Sequence, residues 1–128
     1  MQKTANINLK NFSDAVRVPA SDSGLDLSGV LFERAKASFA SKKFDEGIRS
    51  FKEMLEKYPL SRRSVEARFF IAESYFLKRD YKAALVVIDE MVTLYPDNEL
   101  TGYALLRMGQ ISEFNNQLDE AVEIYKTA

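Results

Sequence analysis

Residues 58–110 read YPLSRRSVEARFFIAESYFLKRDYKAALVVIDEMVTLYPDNELTGYALLRMGQ, and the Tyr-Pro pair that opens this run recurs inside it. Tyr58-Pro59 returns as Tyr95-Pro96, 37 residues later. When residues 31–67 are laid over residues 68–104, the neighbours of the two pairs match as well. The matched positions are Phe32 with Phe69, Ala35 with Ala72, Phe39 with Phe76, Glu53-Met54 with Glu90-Met91, and Ala67 with Ala104. Recurrence at a fixed period of this length is typical of an array of stacked structural units.

A third copy begins at Leu105 and matches the other two at small and apolar positions. It reaches Ala128 before a third Tyr-Pro pair. We therefore expect two full repeats and a partial third, over about 28–64, 65–101 and 102–128. The unfinished repeat is expected to leave an open end, because a repeat buries its apolar face only against a neighbour.

The periodicity predicts an all-α chain. Apolar residues recur three and four positions apart, which is the spacing of one helix face. Polar turns divide the pattern into six predicted helices, and the prolines end the second and the fourth. The predicted spans are about 28–42, 45–57, 64–78, 81–95 and 98–114, with a sixth helix from Leu118 after a turn at Asn115-Asn116-Gln117. Short turns between helices of this length predict antiparallel hairpins.

Small residues recur where the two helices of each hairpin would cross. The pairs are Ala35 with Gly47, Ala72 with Ala84, and Gly109 with Ala121, each separated by 12 positions. A position without a large side chain lets two helix backbones approach closely. We expect a close crossing in all three hairpins.

Composition excludes several functional classes. The chain is 46% hydrophobic with nine Phe and six Tyr, which excludes a disordered chain. It has no Cys and no His, so zinc sites, disulfides and Cys or His nucleophiles are excluded. The net charge of −1 gives no general attraction to nucleic acid or to an anionic membrane. The acidic pairs Asp45-Glu46 and Asp119-Glu120 stand at predicted helix starts, where carboxylates stabilise the helix dipole. We expect no enzyme activity, no cofactor and no metal.

Residues 1–27 differ from the repeats. Asn, Ser, Pro and Gly interrupt this stretch, and its apolar residues are scattered, which predicts an irregular arm. No apolar run reaches the roughly 18 residues of a membrane span, so direct membrane insertion is not expected. The first six residues lack the apolar core of a signal peptide. Either a cytoplasmic protein or an exported protein given without its leader fits these residues.

The repeat positions resemble the tetratricopeptide repeat (TPR), a helix–turn–helix unit of 34 residues with a proline at its end. The resemblance covers about residues 28–128 and implies a right-handed solenoid of about two and two-thirds repeats. It departs from the family at Arg34 and Arg68, where an apolar residue is usual, and at Gly47, where Ala is common. The matching positions are Leu31, Phe32, Ala35, Phe39, Phe44, Gly47, Phe51 and Pro59; Phe69, Ala72, Tyr75, Phe76, Tyr81, Ala84, Ile88 and Pro96; and Leu105, Leu106, Gly109, Leu118, Ala121 and Tyr125.

The period of 37 residues, three longer than the usual TPR period, makes the resemblance more specific. Tyr-Pro, a polar loop and an Ala near the start of the next helix are similar to bacterial envelope repeat proteins. Two such families are the periplasmic Tol-Pal cell-division coordinator and the lipoprotein subunit of the outer-membrane barrel-assembly machine. The resemblance implies a periplasmic or envelope-associated protein that binds other proteins.

A solenoid of helix hairpins presents the first helix of each pair along one groove, which suits an extended or helical peptide. We expect a non-catalytic scaffold that binds a partner segment there. The aromatic members could instead form the core between repeats, and the sequence leaves this open. The family's clamp for C-terminal carboxylates is not expected, because Phe32 and Phe70 stand where that clamp needs polar side chains. The predicted groove residues are Phe32, Lys36, Phe39, Phe69, Glu73, Phe76, Leu77, Tyr103, Leu106, Gln110, Glu113 and Phe114.

An alternative hypothesis is a structural element that self-associates. The arm and the open third repeat would then pair with another copy of the chain, giving a homo-oligomer. The candidate residues are Phe12, Val16, Val122, Ile124 and Tyr125.

Overall fold

The protein is all-α over the residues that the structure describes. This computed structural model describes residues 26–127, with side chains as far as residue 117. The predicted arm, including Phe12 and Val16, lies outside the described residues apart from its last two positions. The helices are α1 (Ser28–Ala40), α2 (Phe44–Lys57), α3 (Ser64–Leu77), α4 (Tyr81–Leu94) and α5 (Glu99–Thr127).

The first four helices form two stacked hairpins, as the sequence predicts. Three residues (41–43) join α1 to α2, and three residues (78–80) join α3 to α4. Helix α3 also packs against α2, α1 and α5. Helices α1, α3 and α5 therefore lie side by side in one layer, and α2 and α4 flank them. Within the described residues, none of the helices combines the length and apolar content needed to cross a membrane.

Both hairpin turns use one backbone motif. Lys42 and Arg79, which are 37 positions apart, adopt left-handed conformations with φ of 64° and 69°. The N–H of Lys43 donates to the carbonyl of Ser38 at 2.8 Å, and the N–H of Asp80 donates to the carbonyl of Tyr75 at 2.9 Å. This is the Schellman arrangement, which satisfies the last carbonyl groups of a helix.

The two Tyr-Pro pairs also play one structural role. The N–H of Tyr58 donates to the carbonyl of Met54 at 2.8 Å and ends α2; Tyr95 ends α4 in the same way. A buried hydroxyl of the following helix then holds each loop, because Ser64 donates to the Pro59 carbonyl at 3.3 Å. Its repeat equivalent, Thr101, donates to the Tyr95 carbonyl at 2.7 Å. Each Tyr-Pro therefore closes a hairpin and anchors the next one.

A small residue sets the crossing of the first hairpin, as predicted. A Cβ atom added at Gly47 would lie 3.3 Å from the carbonyl oxygen of Ala35. Ala72 and Ala84, the equivalent pair, are both buried. Between the hairpins, the ring of Phe70 stacks on Phe51 at 5.5 Å between centroids and contacts other rings edge-on. This aromatic cluster forms the core between the repeats.

The third hairpin predicted by the sequence is wrong. Helix α5 continues without a break through Asn115, Asn116 and Gln117, so the described residues contain five helices rather than six. A Cβ at Gly109 would meet nothing within 4 Å, so Gly109 is not at a helix crossing. Asn and Gln lower helix stability by well under 1 kcal/mol each, whereas the earlier turns have their left-handed residue and the loops have proline. The first two turns, Ser41-Lys42-Lys43 and Lys78-Arg79-Asp80, are polar triplets as well, so polarity alone does not decide where a helix ends.

Candidate functional site

The layer formed by α1, α3 and α5 exposes apolar side chains that the fold does not bury. On α5, Tyr103 is 53% exposed, Leu106 is 66% exposed and Phe114 is 39% exposed. Leu77, at the end of α3, is 44% exposed. These side chains lie at two neighbouring clefts between α3 and α5. Exposed apolar groups gathered at clefts are typical of a binding surface.

The central cleft is a concavity of about 280 Å³ between the middle of α3 and the first half of α5. Its walls combine exposed apolar groups with polar side chains. The residues that line it are Phe69, Glu73, Tyr103, Leu106, Arg107 and Gln110.

An ion pair forms the wall of the central cleft. The guanidinium of Arg107 donates from Nε and Nη2 to the two carboxylate oxygens of Glu73, at 2.8 and 2.9 Å. It also lies over the ring of Phe76, 4.1 Å from the centroid, and donates to Gln110 at 3.0 Å. The hydrogen bond to Glu73 raises the pKa of Arg107 above its ordinary value. Because these contacts use most of the donors of Arg107, they fix α5 against α3.

The tip cleft is a larger concavity of about 620 Å³, where the α3–α4 turn faces α5. The ring of Tyr81 lies between those of Phe76 and Phe114, at centroid distances of 5.5 and 5.6 Å. Arg79 supplies a basic group. The lining residues are Phe76, Leu77, Arg79, Tyr81, Phe114 and Gln117.

The structure places eight of the predicted groove residues on these clefts. Phe32 is a correction: it is 0% exposed, because the rings of Phe51 and Phe70 pack against it, and so it belongs to the core. Phe39 is half-buried against Phe70, and Lys36 is exposed beside the Phe32 ring. Glu113 is exposed but lines neither cleft. The eight are Phe69, Glu73, Tyr103, Leu106 and Gln110 in the central cleft, and Phe76, Leu77 and Phe114 in the tip cleft.

Sequence reasoning missed four lining residues. Arg107 stands 34 positions after Glu73 with the opposite charge, and this spacing on successive repeats could have predicted the pair. Arg79 lies on the turn that the sequence treats only as a connection. Tyr81 begins α4 and is predicted as a repeat position, but not as part of the groove. Gln117 was assigned to a turn, and it reaches the tip cleft because α5 continues.

The residues of the self-association hypothesis are not placed. Phe12 and Val16, as well as the side chains of Val122, Ile124 and Tyr125, lie outside the described part of the chain. That hypothesis stays a prediction.

Comparison with known proteins connects this geometry to a family. A family model described as "YfiO: Outer membrane lipoprotein" matches residues 27–126. The matched region begins just before α1 and extends into α5, so it includes part or all of every helix. No curated protein matches the chain. The family match supports the resemblance to bacterial envelope repeat proteins.

Proposed function

Because the chain belongs to the YfiO family of outer membrane lipoproteins, we propose that it is an envelope scaffold that binds a segment of a partner protein in the central and tip clefts. Family membership supports envelope association and interaction with other proteins. The two clefts are the proposed place where the partner binds.

The main support for the proposal is that apolar side chains are exposed next to an ion pair that joins α3 and α5. Leu106 and Tyr103 are more than half exposed beside the Glu73–Arg107 ion pair. A protein stabilises itself by burying such groups, so their exposure beside a fixed wall favours a partner that covers them. The two clefts follow one another along α5, since residues 103–110 line the central cleft and residues 114 and 117 line the tip cleft. This succession suits an extended or helical segment.

We propose a non-catalytic role for this site. The carboxylate of Glu73 is occupied by Arg107, whose pKa is raised and which stays protonated. The clefts therefore offer apolar contacts and hydrogen bonds to a ligand. They do not present a pair of groups arranged to exchange a proton with a substrate.

Site-specific photocrosslinking tests the proposed binding face. A photoreactive residue at Leu106 lies in the central cleft, and one at Val86 lies on α4, on the other layer. Both positions are 66% exposed, so they are matched for accessibility. In envelope preparations we expect Leu106 to give discrete crosslinks to another protein and Val86 to give few.

Equal crosslinking at the two positions would count against the cleft as the binding site. Crosslinks from Leu106 only to a second copy of the chain would replace the proposal with self-association. Each outcome can be distinguished by the mass of the crosslinked product.

A further inference from the structure

The loop at residues 58–63 exposes an apolar side chain that neither the fold nor the clefts use. Leu60 is 96% exposed, the largest exposure among the exposed large apolar residues of the described chain. Pro59 before it and Arg62 after it are also exposed. The loop thus presents a leucine at its tip beside a guanidinium group.

The exposure of Leu60 is held by the backbone of the loop. The N–H of Ser61 donates to the carbonyl of Tyr58 at 3.1 Å, and the hydroxyl of Ser61 accepts from the N–H of Arg63 at 3.1 Å. The same hydroxyl donates to that of Ser28 in α1 at 3.2 Å. These bonds fix the loop against the start of α1, so Leu60 points into solvent in a defined conformation.

The second repeat shows that this leucine is not needed for folding. Tyr58 and Tyr95 have nearly equal backbone angles, with φ of −132° and −136° and ψ of 64° and 60°. The residues after them are opposite in character, however. Leu60-Ser61-Arg62-Arg63 is apolar and basic, whereas the equivalent Asp97-Asn98-Glu99-Leu100 begins with acidic and polar groups. The two loops therefore begin with the same backbone conformation but expose different side chains.

A second apolar side chain lies close to the loop. Leu27 directly precedes Ser28 and is 38% exposed, and Leu60 directly precedes Ser61. The two serines are hydrogen-bonded, so each leucine is next in sequence to a residue of that contact. Lys57, at the end of α2, is also exposed, but its ammonium is paired with Glu53 at 2.9 Å. Arg63 is paired with Glu33 at 3.6 Å, so the exposed Arg62 is the cation on which the proposal below depends.

We propose that the 58–63 loop contacts an anionic phospholipid surface, with Leu60 inserted among the acyl chains and Arg62 bound to headgroup phosphates. The family of the chain is located at the outer membrane, which makes such a surface available. A single protruding leucine flanked by arginine matches the headgroup boundary, where apolar depth and negative charge occur together. A protein interface would instead need a broader apolar core than this tip supplies.

The proposed contact is peripheral and does not depend on the clefts. Direct membrane insertion was not expected from the sequence, because no segment is long enough to span a bilayer. A loop tip needs no such segment. The contact would hold the end of α2 near the membrane, and no residue of the 58–63 loop lines either α3–α5 cleft.

The absence of cysteine gives a direct test with the full chain. The change Leu60→Cys creates the only thiol, which can carry an environment-sensitive NBD fluorophore, and Asp97→Cys places the same label on the equivalent loop. With vesicles of phosphatidylcholine and phosphatidylglycerol, we expect a blue shift and an intensity rise at position 60 but not at position 97. Vesicles of phosphatidylcholine alone should give little change at either. An equal response at both positions, or none at position 60, overturns the proposal.

Vesicle sedimentation of unlabelled protein removes any effect of the dye. Leu60→Asp introduces the residue that the second loop already has, so the fold should be kept, as circular dichroism can verify. We expect it to reduce partitioning onto anionic vesicles at least about tenfold, from the lost burial of leucine. Arg62→Gln should reduce it about fivefold. The proposal is overturned if a folded Leu60→Asp protein partitions onto the vesicles as much as the unchanged chain does. It is also overturned if partitioning requires an added envelope protein and does not depend on anionic lipid.

Discussion

At the scale of single residues, small side chains decide how closely the helices of each hairpin approach. Gly47 lies against the backbone of Ala35, and Ala72 and Ala84 are buried at the equivalent positions of the second hairpin. The sequence predicts these contacts because the pairs recur at the same offset in both repeats. It does not predict the hydrogen bonds of Arg68. This side chain donates to Glu90 at 3.3 Å and to the hydroxyl of Tyr95 at 2.9 Å. Those partners come from 22 and 27 residues away, beyond the reach of a local pattern.

Enlarging a residue at a crossing tests this packing. Ala84→Leu adds three heavy atoms at a position with 0% exposure, and we expect the free energy of unfolding to fall by about 1–3 kcal/mol. Val86→Leu, on the exposed side of the same helix, should change it by less than about 0.5 kcal/mol. Urea unfolding of both variants measures the difference. An Ala84→Leu protein as stable as the unchanged chain would show that the crossing has spare room.

At the scale of helices, α5 determines the shape of the candidate site. Its continuation past Phe114 brings Gln117 to the tip cleft, which a turn at 115–117 would have removed. The sequence could not predict this continuation, because the expected turn rested on analogy with the first two repeats. Those repeats break at a left-handed residue, with hydrogen bonds that close the turn. Asn115 and Asn116 stay helical, although Asn adopts the left-handed conformation more readily than Lys42 or Arg79 does.

The continuity of α5 can be measured in solution. We expect the ¹³Cα chemical shifts of Asn115, Asn116 and Gln117 to be displaced in the helical direction, like those of residues 104–111. Amide exchange at these three positions should also show no local maximum. Random-coil ¹³Cα shifts confined to the triplet would restore the predicted third hairpin.

The Glu73–Arg107 ion pair joins two helices, and its contribution belongs to the same scale. A double-mutant cycle with Glu73→Met and Arg107→Met should give a coupling energy on the order of 1 kcal/mol, because the pair is bidentate and partly shielded from water. Glu53 and Lys57 form an exposed ion pair within α2 and serve as the control, with a smaller expected coupling. Equal coupling in the two cycles would mean that the pair does not fix α5 against α3.

At the scale of the whole molecule, the fold is easier to predict from the sequence than the binding site is. The 37-residue recurrence predicts stacked hairpins, because the same pattern must be buried in the same way in each copy. The site is less predictable, since a repeat pattern does not show which aromatic residues stay exposed. Phe32 and Phe69 occupy equivalent positions, yet Phe32 is fully buried by its neighbours whereas Phe69 lines the central cleft. The rings that cover Phe32 come from Phe51 in its own repeat and from Phe70 in the next one.

The most direct test of the account compares binding by two surface variants matched for exposure. A peptide from the protein that crosslinks to Leu106 is titrated by calorimetry into the unchanged chain, Leu106→Asp and Val86→Asp. A buried charge at the cleft should weaken binding at least about tenfold, whereas the α4 variant should bind as the unchanged chain does. Equal affinity for all three proteins, or a greater loss with Val86→Asp, would contradict the assignment of the α3–α5 clefts as the binding site.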